Sequence, residues 1–316
     1  MRGDYRVKVL YIAGWGRSGS TILQNVLGEL DGFFPVGEIV YVWERNLIGN
    51  RLCGCGARFR ECEVWQGVLE RAYGGTDRID AEEMIRRRDS GARTRHVLMM
   101  LAPWEKPLLK PRLGKYLDYL EKLYLAIKHV TGSRVIVDSS KLPSYGYVLG
   151  MMPVIDLYVV HLVRDPRAVA YSWLRRKMDP DTGELMPQYT PVQSALVWNI
   201  WNVLIEACWR GRPGRYLRLR YEDFVYKPGE SIGRILDMMQ EKKTDPPFVA
   251  ERKVELGLLH SVGGNPSRFD ARTVELRLDE EWKREMKRSD RTAVTALTWP
   301  LLRRYAYGAK TPTLDR

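Results

Sequence analysis

The chain has 316 residues, 45% of them hydrophobic, with a formal net charge of +12. That length and apolar content bury a sizeable core and exclude a disordered or disulfide-stapled mini-protein, while the positive balance favours anionic ligands without choosing among a nucleotide, nucleic acid or a membrane surface. No cationic-then-apolar leader opens the sequence and no apolar run reaches 18 residues, so neither a secretion signal nor a membrane span is expected, and a cytoplasmic location is.

The first element is an apolar run, Val9 to Ala13, read as a buried strand. It runs into Gly14-Trp15-Gly16-Arg17-Ser18-Gly19-Ser20-Thr21 and then a helical pattern. Gly14, Gly16 and Gly19 allow positive φ and close backbone approach, and the free amides and dipole of the following helix favour an anion. The spacing nearly matches the nucleotide triphosphatase loop, with Thr21 at the magnesium-binding hydroxyl, but Ser20 replaces the required Lys. A mid-loop Arg17 without that Lys points to a phosphate handled without magnesium. A purely structural turn is the plainer alternative.

After the first helix, Phe33-Phe34-Pro35-Val36-Gly37-Glu38 places a carboxylate 21 residues beyond Arg17. Beside an apolar run Glu38 is expected to be partly desolvated, with a raised pKa; an ordinary surface Glu is the alternative. Cys53, Cys55 and Cys62 fall within ten residues, but no fourth Cys or His is near in sequence, so a tetrahedral metal would need a distant ligand. Free thiols in a packed loop are the reading taken, with no metal assigned and a local disulfide or zinc as alternatives; Cys208 is read as core.

Residues 70–131 read as a helical insertion. The arginine-rich stretch around Arg86-Arg87-Arg88 and Arg93 to Arg95 is taken as a solvated face, with contact to an acidic acceptor as the alternative. Leu113, Tyr116, Leu117, Leu120, Leu123, Tyr124 and Ile127 recur at helical spacing and predict an amphipathic helix on a sheet. Val135 to Asp138 is a further strand, ending in Ser139-Ser140-Lys141. Lys141 is positioned to balance charge, and the serines either join the site or cap the helix near Pro143.

Leu157 to Val163 is a buried strand that ends in Arg164-Asp165-Pro166, with Ser172 about two turns along the next helix. In an open parallel sheet the ligand crevice lies beyond such strand ends, where the Arg164 fork and the Ser172 hydroxyl suit one anion. Residues 175–190, with Pro180, Gly183 and Pro187, read as a loop flanking the site on its acceptor side. Trp198, Trp201 and Trp209 follow helical spacing and are read as core. The alternation of strand, loop and helix gives one α/β domain over residues 1–316, with a central, mainly parallel sheet between helical layers and helical insertions.

The loop Gly16 to Thr21 together with Arg164 and Ser172, eight positions apart, resembles the sulfotransferases that use 3'-phosphoadenosine-5'-phosphosulfate (PAPS) as donor. The resemblance runs from about Val7 to Tyr307 and implies a P-loop-like three-layer α/β/α fold. It implies that Gly16, Arg17, Ser18, Gly19, Ser20 and Thr21 bind the 5'-phosphosulfate end and that Arg164 and Ser172 bind the 3'-phosphate. Arg218 to Phe224 resembles the family's Tyr-Glu-Asp segment, whose Tyr, here Tyr221, lies near the adenine. His260 to Phe269 resembles the late loop that covers the nucleotide, within residues 255–275, and brings a basic residue, here Arg268, to the 3'-phosphate. Arg at position 17, where many cytosolic members carry Lys, and the Gly37-Glu38 pair resemble the protein-tyrosine and carbohydrate branch, which implies Glu38 as general base.

The expected reaction is sulfuryl transfer from PAPS to a hydroxyl of a small molecule, natural product or carbohydrate, in a bacterial type of enzyme. It leaves adenosine 3',5'-bisphosphate (PAP), with Arg17 and Lys141 stabilising charge and no metal taking part. No nucleic-acid partner is expected; acceptor and oligomeric state are not specified, and no dimerisation signature stands out in Arg303 to Arg316. Two alternatives are a P-loop phosphotransferase, for which Asp138 would hold magnesium, and a non-catalytic binder of anionic polymers.

Overall fold

The central strand β1 (Val7–Ala13) is covered on both faces, and Val9 through Ala13 are inaccessible to solvent. A computed structural model of the chain describes residues 6–101, 106–179, 181–242, 248–269 and 272–307. Pro180 and residues 308–316, the end of the stretch searched for a dimerisation signature, lie outside the described residues.

Five strands, β1, β2 (Phe33–Gly37), β3 (Val135–Lys141), β4 (Ile155–Val163) and β5 (Tyr216–Arg220), form one sheet in the order β2-β3-β1-β4-β5. Every neighbouring pair is parallel, as strands joined by helical crossovers must be. The strand period of two sorts β1 between two cores. Val7, Val9, Tyr11 and Ala13 pack with the long insertion helices, and Leu10 and Ile12 with Leu23, Val26 and Leu27 and with helix Pro228–Met239. Full burial of a side chain such as Leu10 is worth roughly 1.5–3 kcal/mol. The result is the expected three-layer α/β/α arrangement.

Helices Glu63–Tyr73, Ala81–Gly91 and Lys106–Thr131 make up most of the insertion. The predicted stripe is observed: Leu113, Tyr116, Leu120, Leu123, Tyr124 and Ile127 are buried and Leu117 packs against them. Trp198 and Trp209 are buried on helix Pro191–Trp209, as is Cys208, and Trp201 packs its ring 4.8 Å from that of Trp15.

Because all five strands run the same way, their carboxyl ends open on one edge. There β1 leads into the glycine loop, β2 into Glu38, β3 ends at Lys141, and β4 leads into Arg164. Gly14 and Arg164, 150 positions apart in sequence, thus stand at the same edge because the sheet is parallel.

Candidate active site

The loop after β1 owes its shape to close packing around its glycines. Gly19 is the N-cap of helix Ser20–Gly28 with φ 91°, and a Cβ there would lie 2.3 Å from the Tyr221 ring. Only glycine satisfies both the left-handed conformation and that contact. Gly16 differs from expectation. It is not among the positive-φ glycines, and what it provides is room, since a Cβ would stand 2.6 Å from the Trp173 ring. The left-handed turn falls instead on Arg17, with φ 68°.

Arg17 is partly buried, its guanidinium 4.8 Å from the centroid of Trp173 and its Nη2 3.6 Å from the Met186 sulfur. Its Nε and the Ser18 hydroxyl are buried without a hydrogen-bond partner among the described residues. Burial pulls the guanidinium below its ordinary pKa; Glu38 opposes that and Arg175 adds to it. Orphaned donors beside a helix N-terminus are what an anion would satisfy.

Glu38 lies at the end of β2, beyond Gly37, whose φ is 86° and whose Cβ would sit 2.0 Å from the Val262 carbonyl oxygen. That close approach lets Val262 run alongside the strand end: the Glu38 amide donates to its carbonyl at 2.6 Å and its own amide donates to Val36 O at 2.9 Å. Gly263 and Gly264 follow at φ 67° and 97°, and the Asn265 amide donates to Thr21 Oγ1 at 3.3 Å. The late loop therefore joins the carboxylate to the glycine loop.

The Glu38 carboxylate is held from both sides. Lys141 Nζ donates to Oε1, and Arg45 Nη1 donates to Oε2 at 3.1 Å. Lys141 has φ 69°, so both cations expected at the transferring group occupy a sparsely populated backbone region. The expected rise in the Glu38 pKa is not found. Burial pushes it up, but Lys141, Arg45 and Arg268 together outweigh burial and hold the carboxyl below its ordinary range.

Arg164 is buried at the end of β4, and its Nη1 donates to Arg17 O at 3.0 Å. Its guanidinium lies 4.9 Å from the centroid of Tyr221, the same ring that packs on Gly19. Ser172 is buried on helix Pro166–Leu174. Ser20 is buried at the start of the first helix, and Thr21 follows it. Arg268 is buried on the Glu38 side: it donates to Gly264 O at 3.2 Å and Leu52 O at 3.3 Å, and the charges acting on it are Asp179, Glu38 and Asp181.

Several expectations are revised. Ser139 and Ser140 do not cap the helix at Pro143, whose N-cap is Leu142 without a side-chain bond; Ser139 donates to Gln24 Oε1 at 2.5 Å and Ser140 Oγ accepts from the Val40 amide at 3.1 Å. Asp138 is fully buried and its oxygens are taken by Tyr124 OH and the Ser140 amide. The arginine stretch is not uniformly a solvated face, because Arg88 is buried and donates to Val40 O at 2.7 Å and to Glu44. Sequence reasoning missed Arg45, which stands in a π-helix, Val42–Ile48, with its guanidinium 4.0 Å from the Tyr41 centroid. Its position, seven after Glu38, gave no signal, since a π-turn has no clear sequence signature.

Comparison with known proteins bears on this geometry. A domain titled "Sulfotransferase Domain from the Curacin Biosynthetic Pathway" is similar in structure, with TM-score 0.52, 16% identity, and 94% of this chain and 97% of that chain covered. The "Sulfotransferase Domain from the Synechococcus PCC 7002 Olefin Synthase" gives TM-score 0.52 at 18% identity, covering 95% and 97%. At such identities the likeness shows a shared fold. No curated protein matches the sequence. The model of the sulfotransferase family matches residues 10–245, from β1 through β5 and beyond, and a match over that much of the chain means that it belongs to the sulfotransferase family, enzymes whose co-substrate is PAPS.

Proposed function

We infer that the enzyme moves the sulfuryl group of PAPS to a hydroxyl of a small molecule, natural product or carbohydrate, with Glu38 as general base. The observation that carries this is the convergence of Glu38, Lys141 and Arg17 at neighbouring strand ends. Lys141 is paired with the carboxylate, and Arg17 lies close enough to feel its charge.

The donor fits these residues. The left-handed Gly19, the amides opening helix Ser20–Gly28, the unpartnered Ser18 hydroxyl and the unpartnered Arg17 Nε form a cradle for a phosphosulfate end, with Ser20 and Thr21 beside it. Arg164 and Ser172 are assigned to the 3'-phosphate and Tyr221 to the adenine. Arg268, by its contacts, is assigned to the Glu38 side of the covering loop rather than to the 3'-phosphate. Residues 175–190 border the acceptor, a placement supported by the Met186 contact to Arg17.

The acceptor oxygen attacks sulfur in line and passes its proton to Glu38, while the bond from sulfur to the 5'-phosphate oxygen breaks and PAP departs with the electron pair. Arg17 and Lys141 balance the charge growing on the sulfuryl and bridging oxygens. No metal is assigned to this step. Because Lys141 is bonded to Glu38 in the free enzyme, an arriving anionic donor competes for the ammonium. That frees the carboxylate and raises its pKa toward that of a useful base. A phosphotransferase is less well supported, since the Asp138 oxygens are already occupied by Tyr124 and Ser140.

Incubation with sulfur-labelled PAPS and a panel of hydroxyl acceptors tests the reading. Label should pass to an acceptor with the native enzyme and not with Glu38→Gln. Equal transfer by both would remove Glu38 from the mechanism.

A further inference from the structure

The fourth ligand that the cysteine cluster lacks in sequence is supplied by the fold. Cys53, Cys55 and Cys62 meet His260, 198 positions beyond Cys62, and their ligand atoms all lie within 4.8 Å of one another. Cys55 Sγ and Cys62 Sγ are 3.8 Å apart, and Cys62 Sγ is 3.2 Å from His260 Nδ1. A tetrahedral zinc with Zn–S of about 2.3 Å and Zn–N of about 2.0 Å sets its sulfurs about 3.8 Å apart and sulfur to nitrogen about 3.5 Å apart. None of the three cysteines is in a disulfide.

We propose that Cys53, Cys55, Cys62 and His260 bind one zinc ion in a closed Cys3His site. Cys53 and Cys62 are buried, and four protein ligands leave no open position, so the ion is structural rather than catalytic. The surroundings are those of a ligand loop. The Cys53 amide donates to Ala57 O at 2.8 Å, the Gly56 amide donates to Cys53 O at 2.9 Å, and Gly56 takes φ 89°. Trp65 Nε1 donates to His260 O at 2.8 Å, which fixes the backbone that presents the imidazole.

The ion would join two segments that both reach the crevice. The Gly54 amide donates to Ser261 O at 2.9 Å, and a Cβ on Gly54 would stand 2.4 Å from Leu259 O, so the cysteine loop and the covering loop already touch backbone to backbone. Two residues after His260, Val262 pairs with Glu38, and Leu52, next to Cys53, accepts from Arg268. Zinc would therefore brace the covering loop against the end of β2 and hold Glu38 and Arg268 in register.

The test is the metal content of the untagged full chain, purified without chelator, by plasma mass spectrometry. The expected result is about one zinc per chain, retained in Cys208→Ser and lost in Cys62→Ser and in His260→Ala. Cobalt(II) added to the zinc-stripped chain should give the intense visible bands of a tetrahedral site together with thiolate-to-cobalt charge transfer. If the variants do not fold, the zinc content and cobalt spectrum of the native chain decide alone. A native chain that takes up neither metal, or in which peptide mapping finds two of these cysteines joined in a disulfide, overturns the proposal. None of these readouts depends on sulfuryl transfer.

Discussion

Lys141 and Glu38, 103 residues apart in sequence, form an ion pair at adjacent strand ends, with the ammonium donating to one carboxylate oxygen while Arg45 holds the other. The pairing keeps the Glu38 carboxyl, the proposed base, below its ordinary pKa range. It also makes base strength depend on what else Lys141 can bind.

The pH dependence of turnover follows. In the free enzyme Glu38 titrates below the ordinary carboxylate value of 4.5, so kcat/KM should show no acid limb near neutrality. With donor bound, the competition for Lys141 should move the acid limb of kcat to higher pH than that of kcat/KM. Lys141→Ala should move the kcat/KM limb upward as well, whatever it does to the rate. Coincident limbs in native and variant would show that Lys141 does not control the base.

Glu38→Gln preserves shape and removes the proposed proton acceptor. Turnover should fall by roughly 10²–10⁴-fold while PAP affinity stays within about threefold, read by steady-state kinetics and calorimetry on one preparation.

Gly19→Ala tests the proposed donor loop through its backbone. The added methyl meets the Tyr221 ring at a φ of 91°, so the variant should lose roughly 1–3 kcal/mol of stability and bind PAP more weakly. Urea denaturation with and without PAP separates the two effects.

His161 is buried between Asn202 and Tyr216, with Nε2 2.6 Å from Asn202 Oδ1 and Nδ1 2.8 Å from Tyr216 OH. Burial pushes its pKa down to about 4 from an ordinary 6.5. The unfolded chain takes up the proton first, so the folded protein loses stability as pH falls through that window, by on the order of 3–4 kcal/mol from this group. His161→Gln should lack that loss, and its stability relative to the native chain should improve steadily between neutrality and acid pH. A difference independent of pH would mean the imidazole is not held neutral.

Much of the frame was legible because it obeys local rules. The glycine loop, the strand of period two at Val9 to Ala13 and the helical stripe from Leu113 to Ile127 are written in consecutive residues. What was not legible depends on distant chain segments. The Glu38 environment pointed to a raised pKa when only its apolar neighbours were visible, and it is reversed by Lys141 and Arg268, which arrive from other elements. Arg88 stands in a charged stretch and is buried only because Glu44 and Val40 meet it. His260 joins the cysteines across most of the chain.

The most direct measurement is calorimetric binding of PAP, with magnesium ATP as comparator, to the native chain and to Arg164→Ala, whose guanidinium bonds Arg17 O and stacks near Tyr221. Metal-independent binding of PAP that is lost in the variant is the expected result. No binding of PAP, or a preference for magnesium ATP, would contradict the assignment of this crevice to the sulfuryl donor.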